Sequence, residues 1–111
     1  MLARPNRLTR GADYKAVVRR GRRRAGTHTV TYVNRVVTDG PARFGFIVSR
    51  QVGGAVVRNT VRRRLKALCA ESLPTLESGT DVVIRALPSA ASASFDDLRA
   101  EVSRGLVRRT P

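Results

Sequence analysis

The chain contains no tryptophan, one cysteine, one histidine and only 8 acidic side chains among its 111 residues. A single cysteine, Cys69, excludes an intramolecular disulfide and a cysteine-based zinc site. Its neighbours Leu65 and Leu68 mark it as a small buried thiol and not a nucleophile. A single histidine, His28, leaves no second imidazole and no triad, and a lone histidine on a strand reads as structural or solvated. With so few acids there is no carboxylate cluster to hold two catalytic metals, which argues against a self-sufficient nuclease. Asp96 and Asp97 read instead as charges placed at a helix N-terminus. No uncharged apolar run has the length of a bilayer span. The N-terminal MLARPNRLTR lacks the apolar stretch of a secretory signal. No membrane association is expected, and a reducing cytoplasm is the default location.

Against these absences stand 22 basic residues and a formal net charge of +14. Self-repulsion on that scale works against a compact state, and a polyanion relieves it. Nucleic acid is the leading partner, with an anionic membrane surface second. All the basic residues but Lys15 and Lys66 are arginine, whose planar fork matches phosphate and stacks on bases. The length allows one domain over residues 1–111, since two cores of half the size would be marginal. The only five aromatics are Tyr14, Tyr32, Phe44, Phe46 and Phe95, so Val, Leu and Ile must fill the core.

Along the chain, a first helix is expected from Thr9 to Arg20, stopped at Gly21, with Tyr14, Val17 and Val18 on one face. RRRAG follows as loop or short edge strand. THTVTYVNRVV (27–37) alternates as a strand, turning His28, Val30 and Tyr32 one way and Thr27, Thr29, Thr31 and Val33 the other. TDGPA makes a turn. RFGFIVS (43–49) is a second strand, apolar enough to be covered on both faces. Gly53-Gly54 leads into a helix over 56–72 that ends before Pro74. TDVVIRAL (80–87) is the last strand. Ser94 with Asp97 fits a capping box for a final helix striped by Phe95, Leu98, Val102 and Leu106. This order describes an α+β, single-domain sandwich with helices packed on a small sheet.

The helix over 56–72 carries five basic residues between Arg58 and Lys66. At about 100° per residue, Val57, Val61, Leu65 and Leu68 fall in one arc facing the sheet. Arg58, Arg62 and Lys66 form a row beside it, Asn59 and Arg63 extend that row, and Arg64 lies on the opposite flank. A merely solvated helix interleaves acids for i, i+4 pairing. Here no acid occurs between Asp39 and Glu71, so the face calls for an external anion. Asn59 adds an amide suited to a base edge or a 2′-hydroxyl.

FGFIVSRQVGGAVVRNTVRRRLKAL resembles the signature of the protein subunit of bacterial ribonuclease P. That signature is a strand ending in Val-Ser-basic, a Gly-Asn-Ala-Val turn and an Arg-Asn-Arg-x-x-Lys/Arg-Arg helix. RLTRGADYKAVVRRG resembles the family's N-terminal helix, and GTDVVIRAL its late strand. Gly54 stands where the family usually has Asn, Thr60 where the triplet's second Arg is usual, and Gln51 where Lys is common. Arg58, Asn59, Arg62, Arg63 and Lys66 keep the motif, with Arg64 supplying a nearby charge.

The resemblance implies a mixed sheet in which the basic helix joins neighbouring parallel strands by a left-handed crossover, against the usual hand. It implies an accessory subunit of an endoribonuclease, with the catalytic groups and the Mg2+ ions held by the RNA and no catalytic or metal-binding residue in this chain. The partners implied are the catalytic RNA and precursor tRNA, whose 5′ leader is removed, with no protein oligomer required. Arg50, Arg58, Asn59, Arg62, Arg63 and Lys66 would bind the RNA subunit. Tyr14, Val18, Val30 and Tyr32 would line a groove for the single-stranded leader, with Val18 where the family often has Phe. A ribosomal or other structural RNA-binding protein is the alternative on charge alone. A helix-turn-helix DNA reader fits less well, because a strand and not a helix precedes the basic helix.

Overall fold

A computed structural model of the chain describes residues 2–35 and 39–106. Three helices, α1 (Gly11–Arg20), α2 (Ala55–Ser72) and α3 (Phe95–Leu106), combine with strands β1 (Arg22–Ala25), β2 (Thr29–Arg35), β3 (Arg43–Ile47) and β4 (Thr80–Ala86). The strands form one sheet in the order β1-β2-β4-β3. The pairs β1–β2 and β2–β4 are antiparallel, whereas β3 and β4 are parallel neighbours with α2 as the connection between them. The expected α+β fold with a mixed sheet is therefore present, and RRRA is an edge strand. Val36 and Val37, the end of the expected second strand, lie outside the described residues.

Several boundaries differ from expectation for local reasons. Helix α1 begins at Gly11 and not Thr9, because the preceding residues are held extended against β3. Arg7 bridges Phe44 in parallel, and the Leu8 N–H donates to the Phe44 carbonyl at 2.8 Å. Strand β3 stops at Ile47, after which Val48 turns into the core and the Ser49 carbonyl accepts the Val52 N–H. Pro5, Pro74 and Pro88 each open a short 3-10 turn, where a fixed φ helps and the missing N–H costs nothing. Ser94 Oγ accepts the Asp97 N–H at 3.0 Å, so α3 is capped where the sequence indicates.

The sheet is covered on both faces. On one, Phe44, Val82 and Ile84 meet Val61, Leu65, Leu68 and Cys69 of α2 and Leu98, Val102 and Leu106 of α3. Leu2 joins this core, so the N-terminal segment is part of the fold. On the other face, Val17 of α1 and Leu8 pack over Val30, Tyr32 and Val83. Close approach of α1 requires Gly45, where a Cβ would lie 2.5 Å from the Tyr14 ring. Arg43 locks the sheet edge through a two-pronged contact with buried Asp81, at 2.9 and 2.8 Å. That hydrogen-bonded carboxylate raises the Arg43 pKa, against the opposing effect of burial.

A buried carboxylate ties the β1–β2 hairpin to α3. Glu101, 7% exposed, accepts the His28 N–H at 3.1 and 3.0 Å and the Thr29 hydroxyl at 3.0 Å. His28 is structural in the same network. Its Nδ1 lies 2.7 Å from Ser89 Oγ, whose hydroxyl donates to the Thr27 carbonyl. A buried donor left without a partner costs roughly 1–3 kcal/mol. Replacing Glu101 with Leu should therefore lower the unfolding free energy in urea by roughly that amount, and a variant as stable as the parent would show that the network contributes nothing.

Candidate nucleic-acid interface

Helix α2 presents its polar side because its apolar side is anchored in the core. Val61, Leu65, Leu68 and Cys69 are buried, leaving Asn59 and Arg63 exposed and Arg58, Arg62, Arg64 and Lys66 half-buried on the flanks. Val57 departs from the expected arc. It sits in the first turn, 38% exposed, and covers the backbone of Gly53 instead of reaching the sheet. Gly53 has a φ of 155° and its absent Cβ would lie 2.8 Å from Val57, so the turn into α2 requires glycine. Arg50 is exposed in that same turn, its carbonyl accepting the Gly53 N–H. The six residues expected to bind the RNA subunit are thus on α2 and the turn that enters it.

Hydrogen bonds within this face are few. Asn59 Oδ1 accepts from Arg62 Nη1 at 3.2 Å, which leaves the Asn59 amide hydrogens free to donate outward. The Thr60 hydroxyl donates to the Val56 carbonyl one turn back, so it is already committed to the helix. Arg58 Nε is shielded from solvent and has no acceptor.

Among the described residues few cations are charge-paired, and none of those on this face is. The five carboxylates in ion pairs, Asp13, Glu71, Glu77, Asp81 and Asp96, are all engaged by Arg35, Arg43 or Arg99. The described residues include every basic residue but Arg108 and Arg109, 20 in all, so 17 of them lack an acidic partner within salt-bridge reach. All five cations of α2 are among these.

On the opposite face of the sheet the expected groove residues do come together, but as a packed cluster. Val30 is 5% and Tyr32 6% exposed, whereas Tyr14 and Val18 from α1 are half-buried and form its rim. The Tyr14 hydroxyl accepts the Phe46 N–H at 3.2 Å and donates to the Leu8 carbonyl at 3.4 Å, so its tip is fixed as well. Tyr32 is a floor and not an open stacking platform. Sequence reasoning overlooked Arg85, an exposed cation on this face of β4. The signal was available: it is the only charged residue after Asp81 in an otherwise apolar strand. Burial raises the Cys69 pKa well above the ordinary thiol range, which suits packing and not nucleophilic chemistry. Among the described residues no three His, Cys, Asp or Glu side chains converge on a metal position, and no helix is long and apolar enough to cross a membrane.

Comparison with known proteins agrees with this layout. The profile of the Ribonuclease P family matches residues 2–110. The ribonuclease P protein component of Acidothermus cellulolyticus is 50% identical over 111 residues, covering 99% of this chain and 92% of that protein. The corresponding protein of Clavibacter michiganensis subsp. michiganensis is 48% identical over 108 residues, covering 97% and 96%. Among solved structures, the RNase P protein of Staphylococcus aureus superposes with a TM-score of 0.80 at 22% identity, covering 91% of this chain and 92% of that one. That of Thermotoga maritima gives 0.78 at 20% identity, covering 90% and 94%. At such identities the structures bear on the fold alone, whereas the sequence matches span nearly the whole chain: it belongs to the family of bacterial ribonuclease P protein components.

Proposed function

We propose that this chain is the RNA-binding accessory subunit of a cytoplasmic ribonuclease P. In this reading it supports Mg2+-dependent endonucleolytic hydrolysis that removes the 5′ leader of precursor tRNA. The observation that carries the reading is the unpaired cationic face of α2, held outward by Val61, Leu65 and Leu68. Arg50, Arg58, Arg62, Arg63 and Lys66 supply phosphate contacts to the catalytic RNA, and the free amide hydrogens of Asn59 reach a base edge or a 2′-hydroxyl. The cluster of α1 and β2 on the other face takes the single-stranded leader along its Tyr14–Val18 rim, above Val30 and Tyr32. Opposite faces of one sheet let a single small domain touch both RNAs. The RNA holds the Mg2+ ions and supplies the catalytic groups. The protein's contribution is to neutralise phosphate and to position the leader.

The direct test is cleavage of precursor tRNA by the RNA subunit at a magnesium concentration too low for it to act alone. Adding this protein should restore 5′-leader removal, and an unrelated basic RNA-binding protein should not. Absence of rescue would leave only a structural RNA-binding role.

The two surfaces make separable predictions. Replacing Arg62 and Arg63 with Ala should weaken assembly with the RNA subunit and flatten its salt dependence by roughly 0.7–0.9 log units per lost phosphate contact. An unchanged slope in a filter-binding titration would make this face merely solvated. On the other surface, Val18→Phe should enlarge the half-exposed rim and strengthen binding of leader-bearing precursor. The gain should stay within the roughly 1–3 kcal/mol per stacked base typical of aromatic platforms. Mature tRNA should bind as before. Equal changes for both substrates would place Val18 outside the leader path.

A further inference from the structure

The register of the sheet arranges its α1 face in rows that cross the strands. One row is Arg23, Tyr32, Val83 and Gly45, and the next is Ala25, Val30, Arg85 and Ile47. Helix α1 lies over the first, since Val17 packs on Tyr32 and Val83 and the Tyr14 ring on Gly45. The second row runs beside the helix. Its centre is Arg85, the only exposed residue of the interior strand β4.

An exposed arginine on a surface is usually just solvated, but this one is placed unusually. Interior strands are normally apolar where both faces are covered. Here the flanking residues of the row are Val30 and Ile47, against which an arginine stem can lie while its guanidinium stays in water. The other charged residue of β4 on this face, Asp81, is about 13 Å away along the strand and already held by Arg43. Among the described residues Arg85 has no acidic partner.

We propose that Arg85 anchors one phosphate of the single-stranded 5′ leader, fixing the RNA backbone over the row Ala25–Val30–Arg85–Ile47 beside α1. This rests on the leader reading above and adds to it a residue and a role. The apolar neighbours and the Val18–Tyr14 rim accept bases without reading their identity. The guanidinium fork grips two oxygens of one phosphate and so sets where the leader lies.

The test uses holoenzyme reconstituted with the RNA subunit and either the parent protein, Arg85→Gln or Arg85→Lys. Substrates are mature tRNA and leader-bearing precursors carrying a single uncharged methylphosphonate at successive leader linkages. Arg85→Gln should weaken unmodified precursor roughly fivefold, as for a good exposed ion pair, and reduce the salt slope by about 0.7. Mature tRNA should be unaffected. Arg85→Lys should restore the slope but only part of the affinity. One methylphosphonate position should weaken the parent and leave Arg85→Gln unchanged. The proposal is overturned if Arg85→Gln binds precursor normally, or if every linkage costs both proteins the same. If the parent itself does not distinguish precursor from mature tRNA, the leader reading fails as well, so that failure is recognisable from the parent alone. A thermal melt of Arg85→Gln matching the parent excludes misfolding as the cause.

Discussion

Strand β4 is the constraint on which the rest of the molecule depends. It has a strand on either side and helices on both faces, and Val82, Val83 and Ile84 have no exposed surface. Successive residues of a strand point to opposite faces, so burying β4 on both sides sets which of its residues meet α2 and α3 and which meet α1. A slip of one residue would exchange the two sets. The pairing then transmits this parity to the neighbours. Phe44 goes to the α2 side and Gly45 to the α1 side, while Thr29 and Thr31 turn to α3 and Val30 and Tyr32 to α1. The two surfaces proposed to meet RNA lie back to back because the strand between them can have only two sides.

The distribution of charge follows a related logic. Carboxylates lie where they fasten elements of the fold. Asp81 and Asp13 meet Arg43 where β3, β4 and α1 come together, Glu71 and Asp96 hold Arg99 between α2 and α3, and buried Glu101 ties the hairpin to α3. Arg99 also lies 4.8 Å from the centre of the Phe95 ring. With these acids so engaged, most of the described cations lack an acidic partner. Mutual repulsion among these cations opposes compactness. A polyanionic partner would relieve that repulsion, and under the proposed function assembly with RNA would then add to stability.

Much of this was legible in the sequence, and the failures are instructive. Periodicity located all three helices and three of the strands, because Leu98, Val102 and Leu106 bury one stripe of α3 and Thr29–Tyr32 alternate between the two helix-covered faces of the sheet. The start of α1 was misplaced because a tertiary hydrogen bond from Leu8 to β3 holds that segment extended, and local propensity does not contain it. Val57 satisfied the helical wheel but not the packing, since a wheel ignores where the apolar surface ends. The basic face of α2 was readable residue by residue, because its meaning lies in the absence of acids nearby in sequence. The α1 face was harder. Its assignment came from family resemblance, and only the three-dimensional register shows Tyr32 as floor, Val18 as rim and Arg85 beside them.

The departures from the family motif take on a physical meaning in this geometry. Thr60 occupies a position where the motif has arginine, and its hydroxyl turns back to the Val56 carbonyl, so the side chain offers nothing outward. Arg64 lies one turn further on and on the same strip, about 6 Å along the axis. Helical side chains lean toward the N-terminus, over the turn that precedes them. The long Arg64 side chain therefore leans over the ground that Thr60 leaves uncovered. Gly54 changes the helix entrance in a similar way. It is the N-cap of α2 and makes no side-chain bond to the first turn, yet a Cβ there would meet nothing within 4 Å. The shape of the site accepts the family's asparagine, and what is missing is only its cap. The amides of the first turn consequently keep their donors beside Arg50 and Arg58, at the positive end of the helix dipole. Both substitutions remove a side chain from the cationic face while leaving positive potential in its place, and a surface that recognises phosphate by charge tolerates that exchange better than one that reads bases.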